Sequence, residues 1–430
     1  MATSFMPPRA VIDDLPGFQL QGLQWTVSHA FYNSPFYRLK LDKAGVKPEQ
    51  IRSLDDLRRI PFTSVEDLGD GYPFPLRSVP FEKIVRIHAS SGTTGKRKIL
   101  CYTQKDIDDW AAMFARCYEM AQITASDRVQ IAVGYGLWTA GAGFQLGCER
   151  FGAMAIPVGP ANTEMHCQLL EDMQSTVFCA TASMALLIAE EIERRGMRDR
   201  ISLKKFIFGA ERHSGRMRQR IRDATGAEHL FDIPGLTELY GPGTGLECAA
   251  HRGIHYWADY YILEIVNPET LEPVIPGETG EMVVTSLTKE GAPLIRYRTR
   301  DLTRLLTGPC TCGNPLPRHD HILGRSDDMF IFRAVNIYPG QIEHVLSQIP
   351  GVGSEYQVHL FRKEDGRDNM LVKVEGMMDP DPPERDLAEH ITAEIRSQLL
   401  VRAQVEIVEY GSLPRSDRKS KRVYDRRTED

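Results

Sequence analysis

The sequence of 430 residues predicts an α/β fold with a largely parallel sheet, followed by a smaller α+β domain. Two observations support this prediction. Apolar, strand-like runs alternate with helical stretches between residues 129 and 208, and this order is typical of a parallel sheet. The chain is also longer than a single hydrophobic core usually serves, so two domains are expected.

Composition narrows the class of protein before any motif is considered. The formal net charge is −6 with acidic and basic residues mixed, so there is no basic stripe of the kind that binds nucleic acid. No apolar run has the length of a membrane span, and residues 1–9 lack the apolar region of a secretory signal. The eight cysteines are dispersed, which favours reduced thiols. We therefore expect a cytosolic protein that acts on a small molecule and does not bind membranes.

The N-terminal region predicts helices that pack against a core. Between residues 17 and 57, apolar side chains recur every three or four positions. A strand-like run follows at residues 84–88. Beyond it, Thr103 is positioned to cap a helix over residues 104–120.

The strand-like run at 84–88 leads into a loop of hydroxyl and glycine residues that ends in a lysine. Small side chains let successive backbone N–H groups surround phosphate oxygens, and the hydroxyls and the ammonium add donors, so the loop predicts a polyphosphate site. The lysine follows the first glycine too closely for the P-loop of Walker ATPases, and Arg97 stands where that loop has Ser or Thr. A flexible linker is the alternative, against which the lysine and the preceding strand argue. The loop residues are Ser90, Ser91, Gly92, Thr93, Thr94, Gly95 and Lys96.

Aromatic residues among glycines follow the predicted strand at residues 129–133. Such a run at the end of a strand suits the wall of a flat, mostly apolar pocket. Ordinary core aromatics are the alternative. The run contains Tyr135, Gly136, Trp138, Ala140 and Gly141.

The last hundred residues predict a small α+β domain. Strand-like runs lie at 330–337, 356–361, 370–374 and 405–408, and an amphipathic helix spans 384–400. The chain ends in a basic segment that contains Lys419 and Lys421. Taken alone, such a segment is typical of a solvated cationic run.

A set of cysteine and histidine residues predicts a structural zinc site. Cys310 and Cys312 lie in a loop rich in Pro and Gly, and Cys248 precedes two histidines. Three thiolates and one imidazole form a closed tetrahedral set. His255 is the preferred fourth ligand because it opens the strand-like run 255–265, and His251 is the alternative. Reduced cysteines without a metal are the competing interpretation, because Cys-x-Cys is a weaker signal than Cys-x-x-Cys.

The segment from Arg86 to Lys96 resembles the nucleotide loop of the phenylacetate-coenzyme A ligase family of adenylate-forming enzymes. Later blocks match in the same order, so that the resemblance covers residues 31 to 427. It implies a large domain, residues 1–325, that binds ATP and the acyl group, and a small mobile lid domain, residues 326–430, that carries the catalytic lysine. It also implies an ATP-dependent ligase that uses Mg²⁺ and converts an aryl or arylacetic acid to acyl-AMP and then to a thioester of coenzyme A, with release of AMP and pyrophosphate. A homodimer is compatible with this assignment.

The resemblance also implies roles for individual residues. Glu238 is a Mg²⁺ ligand with a catalytic role, Asp327 is the hinge, and Lys419 acts in catalysis, with Lys421 as the alternative because Arg418 replaces the usual glycine. The aromatic run is assigned to the acyl pocket together with Pro234 and Gly235, and proline replaces a common aromatic there. Contacts to the nucleotide fall to the loop 90–96 and to Gly209, Ala210, Glu211, Asp232, Thr237, Asp301 and Arg325.

Two alternatives remain open from the sequence. One is an adenylating enzyme whose acceptor is not coenzyme A, since the loop and the lysine would look the same. The other is a non-catalytic protein that binds a nucleotide or an acyl adenylate. The presence of Glu238, Asp301, Arg325 and Lys419 argues against the second.

Overall fold

The computed structural model describes residues 4–90, 97–333, 335–362, 368–377, 384–414 and 422–427. The predicted phosphate-loop residues from Ser91 to Lys96, and the two lysines Lys419 and Lys421, lie outside these ranges. The chain divides into two compact units. The first consists of Met1–Ala180, Arg200–Ala210 and Glu228–Ile322, and the second of Thr181–Asp199, Glu211–Ala227 and Leu323–Asp430. The two-domain boundary between residues 325 and 326 stays a prediction.

Helices occur in both units. In the described residues they are α1 (Arg9–Asp13), α2 (Leu15–Asn33), α3 (Pro35–Lys43), α4 (Val65–Asp70), α5 (Gln104–Met120), α6 (Ala140–Phe151), α7 (Thr163–Asp172), α8 (Ala182–Arg194), α9 (Gly215–Thr225), α10 (Pro339–Ser347) and α11 (Glu384–Leu399). The predicted cap of α5 is confirmed, because the Thr103 hydroxyl accepts a hydrogen bond from the amide of Asp106. None of the described helices combines the length and the apolar character that a membrane crossing requires.

The strands of the first unit form a parallel sheet and several antiparallel ones. They are β1 (Arg86–Ala89), β2 (Ile99–Tyr102), β3 (Arg128–Ile131), β4 (Met154–Ile156), β5 (Val177–Thr181), β6 (Lys205–Gly209), β7 (His229–Ile233), β8 (Gly235–Leu236), β9 (Gly241–Pro242), β10 (Gly245–Glu247), β11 (Ile254–Tyr256), β12 (Tyr261–Val266), β13 (Gly280–Ser286), β14 (Tyr297–Thr303), β15 (Leu305–Leu306) and β16 (Arg318–His319).

The parallel sheet confirms the alternating pattern of the sequence. Its order is β4, β3, β5, β6, β7, with β3 parallel to both β4 and β5, and β6 parallel to β7. Strand β5 is buried along its whole length, as expected of a central strand covered on both faces. The predicted single strand over 255–265 is wrong, because residues 257–260 separate β11 from β12. Strand β12 pairs with β13, whereas β11 belongs to the sheet β10, β11, β16, β15.

The second unit contains the predicted α+β architecture. Its strands are β17 (Gly324–Arg325), β18 (Phe330–Phe332), β19 (Val335–Ile337), β20 (Val352–Arg362), β21 (Asp368–Gly376), β22 (Gln404–Val408) and β23 (Val423–Asp425). β20 and β21 are antiparallel, and β22 and β23 flank them in parallel. The turn predicted at Asp365 and Gly366 lies outside the described residues. Helix α11 buries Leu387, Ile391 and Ile395, the apolar face that the sequence predicted.

Helices α8 and α9 belong to the second unit although they interrupt the first unit along the chain. Arg216 of α9 donates from Nη1 to the carbonyl oxygen of Val352 (2.8 Å). Nε of Arg212 lies 3.5 Å from a carboxylate oxygen of Glu343. The sequence offers no local signal for this grouping, because both contacts join residues that are more than a hundred positions apart.

Buried histidines generate a prediction about pH. His319 is 1% exposed, and burial lowers its pKa to about 4 from 6.5, while its Nδ1–H donates to the carbonyl oxygen of Asp320. The unfolded chain binds a proton at the ordinary pKa and the folded chain does not, so stability is lost as the pH falls from 6.5 towards 4.

We expect the unfolding free energy to decrease between pH 7 and pH 4.5, and His319→Gln to remove roughly 2 to 3 kcal/mol of that decrease. Denaturant titrations at each pH measure it. The control is His390→Gln, because that side chain is about half exposed. A His319→Gln variant with the pH dependence of the parent protein would refute the assignment.

Candidate active site

The carboxyl end of β6 carries two of the predicted nucleotide residues. A Cβ at Gly209 would lie 2.1 Å from the carbonyl oxygen of Ile233 on the neighbouring strand, so only glycine fits there. The next residue, Ala210, has a φ of 71°, a left-handed value that side-chain-bearing residues rarely adopt. Strained backbone of this kind clusters at ligand sites. In the second unit, the Glu211 carboxylate accepts from the amide of Ser183 at the start of α8 (2.7 Å).

The turn between β8 and β9 carries Thr237 and Glu238. The Glu238 residue is 7% exposed, and within the described parts of the chain its carboxylate forms no hydrogen bond and no salt bridge. The four carbonyl groups of residues 237–240 all accept hydrogen bonds from two buried side chains. Lys289 Nζ donates to the carbonyls of Glu238 (2.9 Å) and Leu239. The Tyr102 hydroxyl lies 3.3 Å from the Thr237 carbonyl and 3.1 Å from that of residue 240.

Lys289 was missed by the sequence analysis. It is 0% exposed and lies against two aromatic rings, with Nζ 4.7 Å from the ring centroid of Tyr102 and 4.9 Å from that of Tyr240. Burial lowers the pKa of Lys289 to about 8. A lysine beside a glutamate in a loop is indistinguishable from a solvated pair in the sequence, so no local signal was available.

Buried Asp106 fixes the segment that follows Lys289. Its carboxylate accepts hydrogen bonds from the backbone amides of Glu290 (2.7 Å), Gly291 (2.8 Å) and Thr103 (3.0 Å). A Cβ at Gly291 would lie 2.4 Å from the carbonyl oxygen of Cys101, so only glycine fits at this position. The end of β2, the start of α5 and the loop of Lys289 are therefore held together.

Glycines lie against the two aromatic rings of the predicted acyl pocket. A Cβ at Gly141 would lie 2.7 Å from the Tyr135 ring, and one at Gly134 would lie 3.0 Å from the ring of Trp138. Gly136 has a φ of 87°, and Ala140 begins α6. The glycines therefore make room for two flat side chains.

The hairpin with Pro234 and Gly235 lies beside this aromatic run. Gly235 pairs with Pro242, and the next partner along the hairpin, Gly241, lies against the side chain of Thr139. A Cβ at Gly241 would come within 2.6 Å of the Thr139 Cβ.

The start of the predicted phosphate loop meets the aromatic run at one carbonyl group. The Leu137 oxygen accepts from the amide of Ala89 (2.8 Å) and from Nδ1 of His88 (3.2 Å). His88 is 2% exposed, and burial lowers its pKa to about 4, so its ring is neutral. Its Nε2 and the hydroxyls of Ser90 and Tyr135 are buried without a hydrogen-bond partner among the described residues. Buried polar atoms without a partner call for an explanation, and a ligand that binds here would supply one.

Asp232 belongs to a network that the sequence analysis did not foresee. Its Oδ2 lies 2.9 Å from Nδ1 of His321, and its amide donates to the carboxylate of Glu247 (3.0 Å). Glu247 is also 3.3 Å from Nδ1 of His251, the alternative zinc ligand. His251 therefore contacts Glu247 in this network, whereas His255 lies with the cysteines.

Asp301 belongs to the first unit, and Arg325 and Asp327 belong to the second. Asp301 lies on β14, and its amide donates to the Thr299 hydroxyl (3.0 Å). In the second unit, Arg325 and Asp327 form a two-bond ion pair at 2.9 and 3.0 Å. Arg325, the predicted nucleotide contact, is thus paired with Asp327, the predicted hinge.

Four residues of the predicted zinc set lie together. The ligand atoms of Cys248, His255, Cys310 and Cys312 are all within 4.8 Å of one another. The Sγ atoms of Cys248 and Cys310 are 3.6 Å apart, and Sγ of Cys312 is 3.3 Å from Nε2 of His255. Nδ1 of His255 donates to the Leu316 carbonyl (2.8 Å), which turns the Nε2 lone pair towards the sulfur atoms.

Comparisons with known proteins cover nearly the whole chain. Residues 38–288 match the model of the AMP-binding enzyme family, and residues 334–427 match that of the AMP-binding enzyme C-terminal domain. The phenylacetate-coenzyme A ligase of Escherichia coli K12 is 43% identical over 425 residues, which is 97% of this chain and 96% of the relative. That of Pseudomonas putida is 40% identical over 424 residues, 97% and 95% of the two chains. The crystal structure of 2-hydroxyisobutyryl-CoA ligase with 2-HIB-AMP, in the postadenylation state, superposes with a TM-score of 0.87 at 27% identity and covers 98% of this chain and 94% of that one.

Proposed function

The chain belongs to the phenylacetate-coenzyme A ligase family of AMP-binding enzymes, and from that premise we propose that it joins an aryl or arylacetic acid to coenzyme A. The observation that carries the proposal is the identity of 43% to a phenylacetate-coenzyme A ligase over 97% of the chain. The adenylate-forming fold agrees with it, because a relative of the same fold binds an acyl adenylate.

The reaction has two half-reactions. A carboxylate oxygen of the acid attacks the α-phosphorus of ATP, the bond to the pyrophosphate oxygen breaks, and an acyl adenylate forms. The thiolate of coenzyme A then attacks the acyl carbon, the bond to the AMP oxygen breaks, and AMP leaves. Negative charge develops on the α-phosphate in the first step, so positioned donors stabilise that transition state electrostatically. No protein nucleophile is required.

Glu238 is the residue that we assign to Mg²⁺. A hard cation prefers carboxylate oxygens, and this carboxylate makes no competing bond within the described parts of the chain. The ion would supply charge neutralisation for the phosphate oxygens. The chain's own contribution is the fixed backbone of residues 237–240, which determines where the carboxylate lies.

The residues of the predicted acyl pocket favour an aromatic acid as the substrate. The flat rings of Tyr135 and Trp138 lie against glycines, and the carbonyl group of Leu137 ties this wall to the start of the phosphate loop. Such a wall suits a planar aryl group better than acetate or a long alkyl chain. An acid bound there would have its carboxylate next to the nucleotide phosphates.

Transfer of the acyl group to an acceptor other than coenzyme A is the second candidate function. The residues of the adenylation step would be the same in both cases. Nucleotide contacts by Gly209, Ala210, Glu211, Asp232, Thr237, Asp301 and Arg325, a hinge at Asp327, a cytosolic location and a homodimer stay predictions.

The cluster of Cys248, His255, Cys310 and Cys312 is best explained by a structural zinc ion. Three sulfur ligands and one imidazole within 4.8 Å of one another match the preference of zinc for a closed tetrahedral set. The ion would join the loop of Cys310 and Cys312 to the strand β11, 55 or more positions earlier in the chain. Its role would be stability, because none of these residues is assigned to the reaction.

The proposed function is tested by product analysis. The protein is incubated with ATP and a panel of aryl, arylacetic, short-chain and fatty acids, with and without coenzyme A, and products are identified by mass spectrometry. We expect aryl or arylacetyl thioesters with coenzyme A and the acyl adenylate without it. A long-chain fatty acid as the best substrate would contradict the assigned acid, and an acyl adenylate that coenzyme A does not convert to a thioester would favour the second candidate.

Lys419→Ala tests the assigned catalytic lysine. Loss of a charged donor to a developing anion should slow adenylation about 10² to 10³-fold, while thioester formation from supplied acyl adenylate continues at the parent rate. Lys421→Ala is the matched control. Equal losses in both half-reactions would refute the role, and loss in Lys421→Ala alone would transfer it to that residue.

Elemental analysis tests the zinc assignment. Protein purified without added metal should contain close to one zinc per chain, and Cys310→Ser should lose it together with several degrees of Tm, because a closed metal site stabilises the folded chain. Cys148→Ser, a buried cysteine outside the cluster, should keep the zinc. Protein that is folded and active without metal would exclude the site.

A further inference from the structure

The turn that carries Glu238 is held from inside the protein by two side chains. Four consecutive carbonyl groups, those of residues 237–240, point towards Lys289 Nζ or the Tyr102 hydroxyl. We propose that Lys289, assisted by Tyr102, is a positioning residue that sets the place of the Glu238 carboxylate for the adenylation step. The proposal rests on the proposed function, since it gives that carboxylate a magnesium ion to hold.

The burial of Lys289 leaves its ammonium few alternative partners. With 0% exposure it cannot reach substrate or water, and the nearest rings, those of Tyr102 and Tyr240, face it at 4.7 and 4.9 Å. An ammonium group removed from water needs acceptors, and the carbonyls of Glu238 and Leu239 provide them. Cation–π contacts with the two rings add to this stabilisation.

The Tyr102 hydroxyl is the second donor to the carbonyl groups of the turn. The Tyr102 hydroxyl has one proton, which it shares between the carbonyls of Thr237 and Tyr240 on either side of the pair held by Lys289. The amides of Leu239 and Tyr240 both donate to the Leu236 carbonyl, so the turn is fixed through its N–H groups as well. The backbone of the turn is bonded inwards, while the Glu238 carboxylate has no hydrogen-bond partner among the described residues.

Lys289 is itself held in place by Asp106. That carboxylate binds the amides of Glu290 and Gly291, the two residues that follow Lys289, and the amide of Thr103, the residue that follows Tyr102. Lys289 and Tyr102, the two donors to the turn, are therefore each followed by backbone that the buried Asp106 carboxylate holds. Tyr102 is the last residue of β2, and Lys289 lies in the loop after β13, so one carboxylate fixes donors from two distant parts of the chain.

Removal of the ammonium should affect one half-reaction. Without Lys289 the carbonyls of Glu238 and Leu239 lose their donor, and unpaired buried carbonyls favour a rearranged turn. The displaced carboxylate would bind Mg²⁺ less well, which weakens adenylation. Thioester formation from supplied acyl adenylate does not use the metal in the proposed mechanism and should be unchanged.

The test compares Lys289→Met with Lys205→Met. The control removes Lys205, a partly buried lysine at the start of β6 whose ammonium donates to the Gln122 carbonyl. In Lys289→Met we expect the Mg²⁺ concentration for half-maximal acid-dependent pyrophosphate exchange to rise at least tenfold, with thioester formation from supplied acyl adenylate within twofold of the parent. Lys205→Met should leave both unchanged. Equal losses in the two half-reactions would overturn the proposal.

A double variant tests whether Lys289 acts through Glu238. If it does, Lys289→Met should cost less than twofold in a Glu238→Gln background, because the group it positions is already lost. Full additivity of the two losses would overturn the proposal. Tyr102→Phe keeps the ring and removes only the hydroxyl, so it serves if Lys289→Met does not fold, and we expect a smaller rise in the Mg²⁺ requirement, about threefold. A folded Tyr102→Phe with the parent Mg²⁺ requirement would then contradict the proposal.

A readout independent of activity separates this proposal from the proposed function. Hydrogen–deuterium exchange of the amides of residues 236–241 should become at least tenfold faster in Lys289→Met and stay unchanged in Lys205→Met. Faster exchange in a protein without ligase activity would leave the positioning role standing while the function fails. Unchanged exchange in an active protein would refute the positioning role alone.

Discussion

The buried ammonium of Lys289 imposes a constraint on which the candidate active site depends. A charge removed from water must be surrounded by acceptors, and this one draws two backbone carbonyls of the Glu238 turn towards itself. Asp106 then holds the backbone next to Lys289 and next to Tyr102. Strand β2, helix α5 and the Glu238 turn are thereby fixed relative to one another without the use of an exposed side chain.

A second contact joins the predicted acyl-pocket residues to β1, the strand that leads into the predicted phosphate loop. One carbonyl group, that of Leu137, accepts from both Ala89 and His88, so the aromatic wall and the beginning of the phosphate loop cannot move apart independently. Adenylation requires the carboxylate of the acid to meet the α-phosphate, and preorganised neighbours reduce the entropic cost of that encounter. Polar atoms of His88, Ser90 and Tyr135 are buried without a hydrogen-bond partner among the described residues.

Much of the fold was predictable because its signals are local. The alternation of strands and helices predicted β3 to β6, and the Thr103 cap and the apolar face of α11 follow from neighbouring residues. The sequence also singled out Cys248, His255, Cys310 and Cys312, which the fold brings together, and their binding of zinc stays a prediction. Lys289 and the link from Asp232 to His321 were not, because their partners lie 50 and 89 positions away or more and their residue types are ordinary on a surface. Long-range burial, rather than sequence pattern, gives these residues their roles.

In the proposed reaction, the chain forms an acyl adenylate before coenzyme A takes part. The most direct test is exchange of labelled pyrophosphate into ATP by the unmodified protein with an aromatic acid and Mg²⁺ but without coenzyme A. We expect exchange of pyrophosphate into ATP that depends on the acid and occurs without coenzyme A. Exchange that requires coenzyme A, or that proceeds without any acid, would contradict it.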